Sequence, residues 1–271
     1  MNRLRTAGVG AATVAGLAVA AVAALYVASQ RELRRRYPAA PETLAIPSDG
    51  AALAWGEHLV LAVANCAECH GDDLGGKLYA DMGPLGTIAG PNLTRGRGGI
   101  GGALAPADWV RALRYGVRRD STSLIVMPSE TYVHLSDPDL AAVIAYASRV
   151  PPVDRTVPAT RFGPLGRALL ATGRLPILVA PKTPRLRHDS IAPPAVSIAY
   201  GRYLADIAGC HGCHGDGLSG GRVAGPKGLP PAANLTPAGM IGAWTETDFV
   251  RALRSGRRPD GSAIDRFMPW P

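Results

Sequence analysis

The longest uninterrupted apolar stretch of the chain lies near its N-terminus. No charged residue occurs from Thr6 to Gln30, and Ala, Val, Gly and Leu dominate this stretch. At about 1.5 Å rise per residue, a helix of this length spans a hydrocarbon core of about 30 Å. It also exceeds the roughly 7–15 apolar residues of a cleavable signal core, although Val27-Ala28-Ser29 would be a tolerable processing site. We therefore predict a retained anchor over residues 1–36, with a transmembrane helix over about 6–30 followed by a basic flank.

Beyond the anchor, apolar residues recur with helical spacing in short segments that long glycine-rich loops separate. A first helix is predicted from about Asp49 to Cys66, with a counterpart from about Ala195 to Cys210. A middle helix begins near Ala107 and ends before Gly116. A third helix begins at the capping pattern Ser136-Asp137-Pro138-Asp139. One face of it carries Leu140, Val143, Ile144 and Ala147. These segments predict an all-α fold.

The body of the chain is an internal duplication. The run Asp108–Gly116 precedes Met127-Pro128, just as the matching run Asp248–Gly256 precedes Met268-Pro269. The duplication predicts two tandem domains, residues 45–150 and 195–271.

A Pro-rich linker, residues 151–194, is predicted to act as a semi-rigid spacer between these domains. A more apolar part of it, Phe162 to Ala180, could include a short helix packed on a domain. No counterpart of the third helix follows Met268, so the second domain is expected to lack its C-terminal helix. Either the sequence is a fragment, which we favour, or another element caps that domain.

All four cysteines occur in two copies of one pattern, Cys66-Ala67-Glu68-Cys69-His70 and Cys210-His211-Gly212-Cys213-His214. Within a helical turn, the positions i, i+3 and i+4 lie on one face. The pattern is the attachment signature of c-type haem. A redox dithiol would need a βαβ setting, and a zinc ribbon would need two closely spaced pairs; neither is present. We predict two haem c groups bound through Cys66, Cys69, Cys210 and Cys213, with His70 and His214 as iron ligands.

A second axial ligand is predicted for each iron. Met127-Pro128 and Met268-Pro269 follow the proximal histidines by 57 and 54 residues. A thioether ligand fills the sixth position and raises the reduction potential, which suits electron transfer. The alternative is that each Met fills a gap in a core, but the shared Met-Pro pair and its register favour ligation by Met127 and Met268.

The charge of the chain limits its partners. The formal net charge of +8 falls to +6 without Arg3 and Arg5. This balance suits acidic protein surfaces or anionic lipid. The arginines are dispersed rather than interleaved with aromatic residues, so no nucleic-acid partner is expected. The repeated helix contributes four of these arginines, which would either neutralise haem propionates or form a solvated helix face: Arg111, Arg114, Arg251 and Arg254.

Both units resemble class I cytochromes c, and their arrangement is similar to membrane-anchored dihaem cytochrome c subunits of dehydrogenases. The resemblance rests on the two C-x-x-C-H motifs, on Gly90-Pro91-Asn92-Leu93-Thr94, on Met127-Pro128, and on the repeats of these segments. It implies that the Pro91 carbonyl accepts a hydrogen bond from His70 Nδ1–H, with Ala233 in the same place in the second unit. It also implies that a glycine of the first helix packs against an aromatic residue of the last, a role that Gly56 and Tyr146 fit.

These features predict an electron carrier rather than an enzyme, anchored by a single pass in a bacterial inner membrane. Both haem domains would lie in the periplasm, since haem attachment to such motifs takes place outside the cytoplasm. Electrons would arrive from a partner dehydrogenase and leave to a cytochrome, a quinone or an oxidase. Two alternatives stay open. A dihaem peroxidase-like enzyme would need an open iron site and acid–base groups. A docking subunit would mainly anchor a dehydrogenase.

Overall fold

The computed structural model describes residues 2–39, 42–184, 195–223 and 228–270, with side chains from residue 12 onward. The chain divides into two compact units, Met1–Ile191 and Ala192–Pro271. Helices dominate both units.

The first unit has seven α-helices among its described residues. They are α1 (Asn2–Arg34), α2 (Gly50–His58), α3 (Cys66–His70), α4 (Pro106–Tyr115), α5 (Ser129–Tyr132), α6 (Asp137–Ala147) and α7 (Pro164–Ala171). A π-helical turn over Leu59–Val63 continues α2, and 3-10 turns occupy Gly83–Leu85 and Gly101–Ala103.

Helix α1 contains one segment, Ala12–Arg34, that is long and apolar enough to cross a membrane. Only 6% of its most apolar window is buried inside the protein. An N-terminal signal sequence would meet the same criteria of length and composition. The helix can therefore serve as a membrane anchor.

The core of the first unit forms where α2 crosses α6. The Ser136 hydroxyl accepts a hydrogen bond from Asp139 N at 3.0 Å and caps α6 at the predicted place. The apolar face predicted for this helix is buried, with Leu140 and Ile144 almost fully covered. Gly56 lies directly against the Ala142 backbone and the Tyr146 Cβ, so the glycine–aromatic contact implied by the resemblance is present. These two helices therefore pack in close contact.

A small antiparallel sheet departs from the predicted all-α fold. Strands β1 (Lys77–Asp81), β2 (Gly86–Gly90) and β3 (Arg161–Phe162) lie in the order β1-β2-β3. Lys77 pairs with Gly90, and Gly86 pairs with Phe162. The chain is mostly helical, but the prediction of an entirely α-helical fold is wrong for these segments. The local pattern does not reveal β3, because its partner strand lies more than seventy residues earlier in the sequence.

Residues 153–183 pack on the first unit. The buried Asn92 amide donates to the carbonyls of Val153 and Arg155 at 2.7 and 3.1 Å. The Arg155 guanidinium contacts Asp73 through two hydrogen bonds of 2.9 and 2.8 Å. Helix α7 provides the short helix predicted between Phe162 and Ala180, and it packs on α1. Residues 153–183 thus belong to the first compact unit, the linker bounds 151–194 stay a prediction, and residues 185–194 lie outside the described residues.

The second unit contains α8 (Ile198–Ile207), α9 (His211–His214), α10 (Glu246–Ser255) and a 3-10 turn at Met240–Ala243. Several of its turns have the same geometry as their counterparts in the first unit. Gly116 and Gly256 end α4 and α10 with φ of 63° and 62°. Leu74 and Leu218, which follow the two cysteine motifs, have φ of 53° and 55°.

The two units differ in how the repeated helix is covered. Trp109 and Leu113 of α4 are 6% and 4% exposed, whereas their counterparts Phe249 and Leu253 of α10 are 44% and 43% exposed. A Cβ on Gly201, the counterpart of Gly56, would meet no described atom within 4 Å. The predicted lack of a C-terminal helix in the second unit stays a prediction.

Candidate haem sites

The first cysteine motif forms a separate short helix. Asn65 takes a left-handed conformation with φ of 46°, which ends the preceding helical run before Cys66. Helix α3 then places Cys66, Cys69 and His70 within little more than one turn. Both thiols are half-buried, and His70 is 8% exposed. Both thiols and the imidazole thus lie close together in one short helix.

The ring of His70 is oriented by a backbone carbonyl. His70 Nδ1 lies 2.9 Å from the Pro91 oxygen. A carbonyl oxygen only accepts hydrogen bonds, so Nδ1 must carry the proton, which leaves the Nε2 lone pair free for a metal. Burial lowers the pKa of His70, although the hydrogen bond to Pro91 opposes this shift. The ring is therefore held as a neutral, oriented imidazole.

A tight loop fixes the carbonyl that orients His70. A Cβ on Gly90 would lie 1.9 Å from the Cys69 oxygen, so only glycine permits this approach of β2 to the motif. The Gly76 N–H donates to the His70 oxygen at 2.6 Å, and Leu93 N–H donates to the Leu74 oxygen at 2.9 Å. These backbone contacts set the position of Pro91 relative to His70.

The second motif reproduces this arrangement. Cys210 directly precedes α9, and His214 is 8% exposed. His214 Nδ1 lies 2.8 Å from the Ala233 oxygen. The Gly220 N–H donates to the His214 oxygen at 2.9 Å, as the Gly76 N–H does to His70. His214 thus forms the same hydrogen bond as His70, although Ala233 rather than a rigid proline provides the carbonyl.

Three of the four thiols lack the lowered pKa of a reactive dithiol. Burial raises the pKa of Cys66 to about 12, and burial also raises the pKa of Cys69 and Cys210. Reactive dithiols have lowered thiol pKa values. No group of three or more His, Cys, Asp or Glu suited to a metal ion occurs in the described part of the chain. The donor set of each motif, two thiols and an oriented imidazole, instead fits covalent haem attachment and iron ligation.

Tyr132 is a site residue that the sequence analysis missed. Its buried hydroxyl donates to the Ala64 oxygen at 2.6 Å and lies against the Cys66 thiol. With the offset of 141 between Met127 and Met268, the position that matches Tyr132 lies past Pro271, so the repeat could give no signal for it.

The two candidate methionine ligands share a local backbone geometry. Met127 and Met268 are both half-buried, and each accepts a backbone hydrogen bond of 2.9 Å from the residue two positions later. Helix α5 follows Met127 directly, and its Tyr132 contacts Cys66. The contact between Tyr132 and Cys66 places the segment that contains Met127 near the first cysteine motif. The prediction that Met268 is an iron ligand depends on its match to Met127 in the repeat.

Arg114 pairs with two carboxylates. Its side chain is fully buried and bonds to Glu42 and Asp137, and it also donates to the Leu135 oxygen at 3.3 Å. Tyr115 donates to the same Glu42 at 2.9 Å. Both roles suggested for Arg114, propionate neutralisation and a solvated face, therefore give way to a structural one. Its counterpart Arg254 is exposed.

Comparisons with known proteins agree with this geometry. Residues 51–146 match the family model described as cytochrome c oxidase, cbb3-type, subunit III. This segment is a cytochrome c domain. It contains the first cysteine motif, the Pro91 carbonyl and Met127.

Three of the similar curated proteins are named as cytochromes. The fructose dehydrogenase cytochrome subunit of Gluconobacter japonicus is 29% identical over 218 residues, covering 74% of this chain and 44% of that protein. The alcohol dehydrogenase (quinone) cytochrome c subunit of Gluconobacter oxydans is 31% identical over 250 residues, covering 80% and 49%. A diheme cytochrome c-type protein of Cereibacter sphaeroides is 29% identical over 228 residues, covering 76% and 73%. The chain thus spans about half the length of the two dehydrogenase subunits.

Proposed function

We propose that this chain is a dihaem c-type cytochrome subunit that carries electrons from a membrane dehydrogenase to a downstream cytochrome, quinone or oxidase. The observation that carries the proposal is the paired imidazole geometry: each C-x-x-C-H histidine is buried and bonded through Nδ1 to a carbonyl, at 2.9 and 2.8 Å. The cytochrome subunits of fructose and alcohol dehydrogenases among the relatives support a dehydrogenase as the electron donor.

Two tandem haem domains, residues 45–150 and 195–271, are part of this proposal. The matching turns at Gly116 and Gly256, and at Leu74 and Leu218, support a second domain of the first type. The diheme relative from Cereibacter sphaeroides supports a count of two haem groups. The haem domains would lie in the periplasm, with α1 as a single-pass anchor in the inner membrane.

The haem iron, when bound, supplies a centre that takes up and releases one electron. Cys66 and Cys69 would hold the first porphyrin, and Cys210 and Cys213 the second. The Pro91 and Ala233 carbonyls orient the two imidazoles and raise their basicity toward the metal. Met127 and Met268 would fill the sixth coordination positions, which excludes small-molecule chemistry at the iron.

A dihaem peroxidase-like enzyme and a dehydrogenase docking subunit are the alternative functions. A peroxidase would require one iron with an open position. A docking subunit would keep the dehydrogenase on the membrane without itself needing two reducible haems. Electron transfer is favoured because both motifs have the same oriented histidine and the same downstream Met-Pro turn.

The methionine ligands test the electron-transfer function directly. The oxidised full-length protein is expected to show a sulphur-to-iron charge-transfer band, and the variants Met127→Leu and Met268→Leu should each lose about half of it. Met240→Leu is the matched control, because Met240 is 54% exposed and has no Met counterpart in the first unit.

Loss of the thioether should also lower the reduction potential of the affected haem in a redox titration. A band that persists unchanged in either ligand variant would contradict that ligand assignment. A five-coordinate iron in the unmodified protein, with peroxide turnover, would favour the peroxidase instead.

A further inference from the structure

A polar cavity lies where the end of α1 meets the body of the first unit. Its volume is about 420 Å³. Its lining combines three arginines, two uncharged polar residues and three apolar ones: Arg118, Arg161, Arg167, Gln30, Thr160, Leu33, Ile125 and Phe162. Neither cysteine motif contributes to it.

The cavity carries an uncompensated positive charge. Within the described part of the chain, Arg118, Arg161 and Arg167 have no carboxylate within the 4.0 Å of an ion pair. Asp120 acts on Arg118 through its charge, but its carboxylate is bonded to the Thr122 N–H and hydroxyl at 3.0 and 2.7 Å. Burial lowers the pKa of Arg118, because the guanidinium has lost part of its hydration. The Arg118 guanidinium already donates to the Thr122 hydroxyl at 3.3 Å and to the Ser123 oxygen, so an anion in the cavity would bind its remaining N–H groups.

The cavity lies beside the C-terminal end of the charge-free run of α1, where a membrane-spanning helix would leave the bilayer. The charge-free run of α1 ends at Gln30, which lines the cavity, and Arg31 follows. Arg167 donates to the Ser29 hydroxyl at 3.1 Å and lies 4.2 Å from the centre of the Tyr26 ring. Tyrosine and arginine are the residues that anchor transmembrane helices at the membrane–water boundary. Lipid phosphates lie at the same level.

We propose that this cavity binds the phosphate of an anionic phospholipid and thereby fixes the first haem domain against the membrane surface. Guanidinium groups suit phosphate oxygens through bidentate hydrogen bonds. The volume lies within the range of small-molecule sites, and Leu33, Ile125 and Phe162 offer an apolar wall for the start of the acyl chains. The proposal rests on α1 being retained as an anchor, as the proposed function also requires.

The test uses native mass spectrometry of the full-length, haem-loaded protein released from detergent micelles. Phosphatidylglycerol and phosphatidylcholine are supplied at equal concentration, and the lipid adducts are counted. The protein is expected to retain phosphatidylglycerol selectively. Arg161→Gln should weaken this retention about tenfold, which corresponds to the loss of one charge-assisted hydrogen bond. Arg161 is exposed and outside the core, so the variant should fold.

Arg167→Gln should have a similar effect on the same adduct. Arg95→Gln is the matched control, since Arg95 is an exposed arginine of the first unit that does not line the cavity. Inorganic phosphate forms the competition arm. Displacement of the lipid by millimolar phosphate would identify a site for soluble anions and overturn the lipid assignment.

Two further outcomes would also overturn the proposal: equal retention of phosphatidylcholine, or phosphatidylglycerol retention unaffected by Arg161→Gln. Displacement of the lipid by an uncharged quinone analogue would identify a quinone site instead. Haem spectra recorded on the same samples report the proposed function separately, because loss of lipid binding leaves the methionine charge-transfer band unchanged.

Discussion

Gly56→Ala tests the helix contact on which the first haem domain depends. A Cβ at this position would lie 2.1 Å from the Ala142 oxygen, whereas ordinary contact begins at 3.4 Å. The obstructing atoms belong to the α6 backbone and cannot rotate away, so α2 and α6 must separate by more than 1 Å. Overpacking of this kind costs about 1–3 kcal/mol, and the better helix propensity of alanine offsets up to about 1 kcal/mol. The net expectation is a loss of about 1–2 kcal/mol.

Amide hydrogen exchange with mass spectrometry measures this loss in each unit separately. Peptides that cover 50–63 and 137–147 should exchange about 5- to 30-fold faster in Gly56→Ala, while peptides of α8 should not change. Gly201→Ala is the matched control, because no described atom lies within 4 Å of its new methyl group. It should leave exchange in the first unit unchanged and slow exchange in α8 by up to about fivefold. Unchanged or slower exchange of the α2 and α6 peptides in Gly56→Ala would refute the reasoning.

The same measurement tests two further pairs of variants. Arg114→Met should destabilise the first unit by about 3 kcal/mol. This value is at the lower end for a broken buried ion pair, because the Asp137 side chain is about half exposed. Arg254→Met, at the exposed counterpart, should change the stability of the second unit by less than about 0.5 kcal/mol. An equal effect of the two substitutions would contradict the structural role of Arg114. Asn92→Ala should cost about 2–3 kcal/mol and release the 153–162 segment, because the buried Asn92 amide makes two hydrogen bonds to that segment. Asn234→Ala should cost less than about 1 kcal/mol, because the Asn234 side-chain oxygen accepts hydrogen bonds from Thr236 in its own turn. If residues 153–162 stay protected from amide exchange in Asn92→Ala, Asn92 does not hold that segment.

Local chemistry made much of the candidate site predictable. The C-x-x-C-H spacing fixes two thiols and an imidazole within one helical turn, whatever the rest of the chain does. The Ser136 cap and the apolar face of α6 follow from short-range rules of helix formation, and the structure has both. The Pro91 carbonyl came from the family resemblance rather than from the residues themselves, and its 2.9 Å contact with His70 is present.

Long-range contacts were not predictable in the same way. Strand β3 pairs with β2 only because the segment after Val153 returns to the first unit, and its composition resembles that of an extended linker. The sequence suggested haem propionates or a solvated helix face for Arg114, because its partner Glu42 lies 72 positions earlier in the sequence. Tyr132 contacts Cys66 from 66 positions away in the sequence. Each error concerns a residue whose role depends on a distant partner.

The intact mass of the full-length protein, expressed in a host that attaches c-type haem, tests the central claim most directly. The account predicts a polypeptide heavier by two haem groups, with no free thiol detectable at Cys66, Cys69, Cys210 and Cys213. The variant Cys210→Ala/Cys213→Ala should carry one haem and retain the spectrum of the first site. A mature protein with four free cysteines and no added mass would contradict the account.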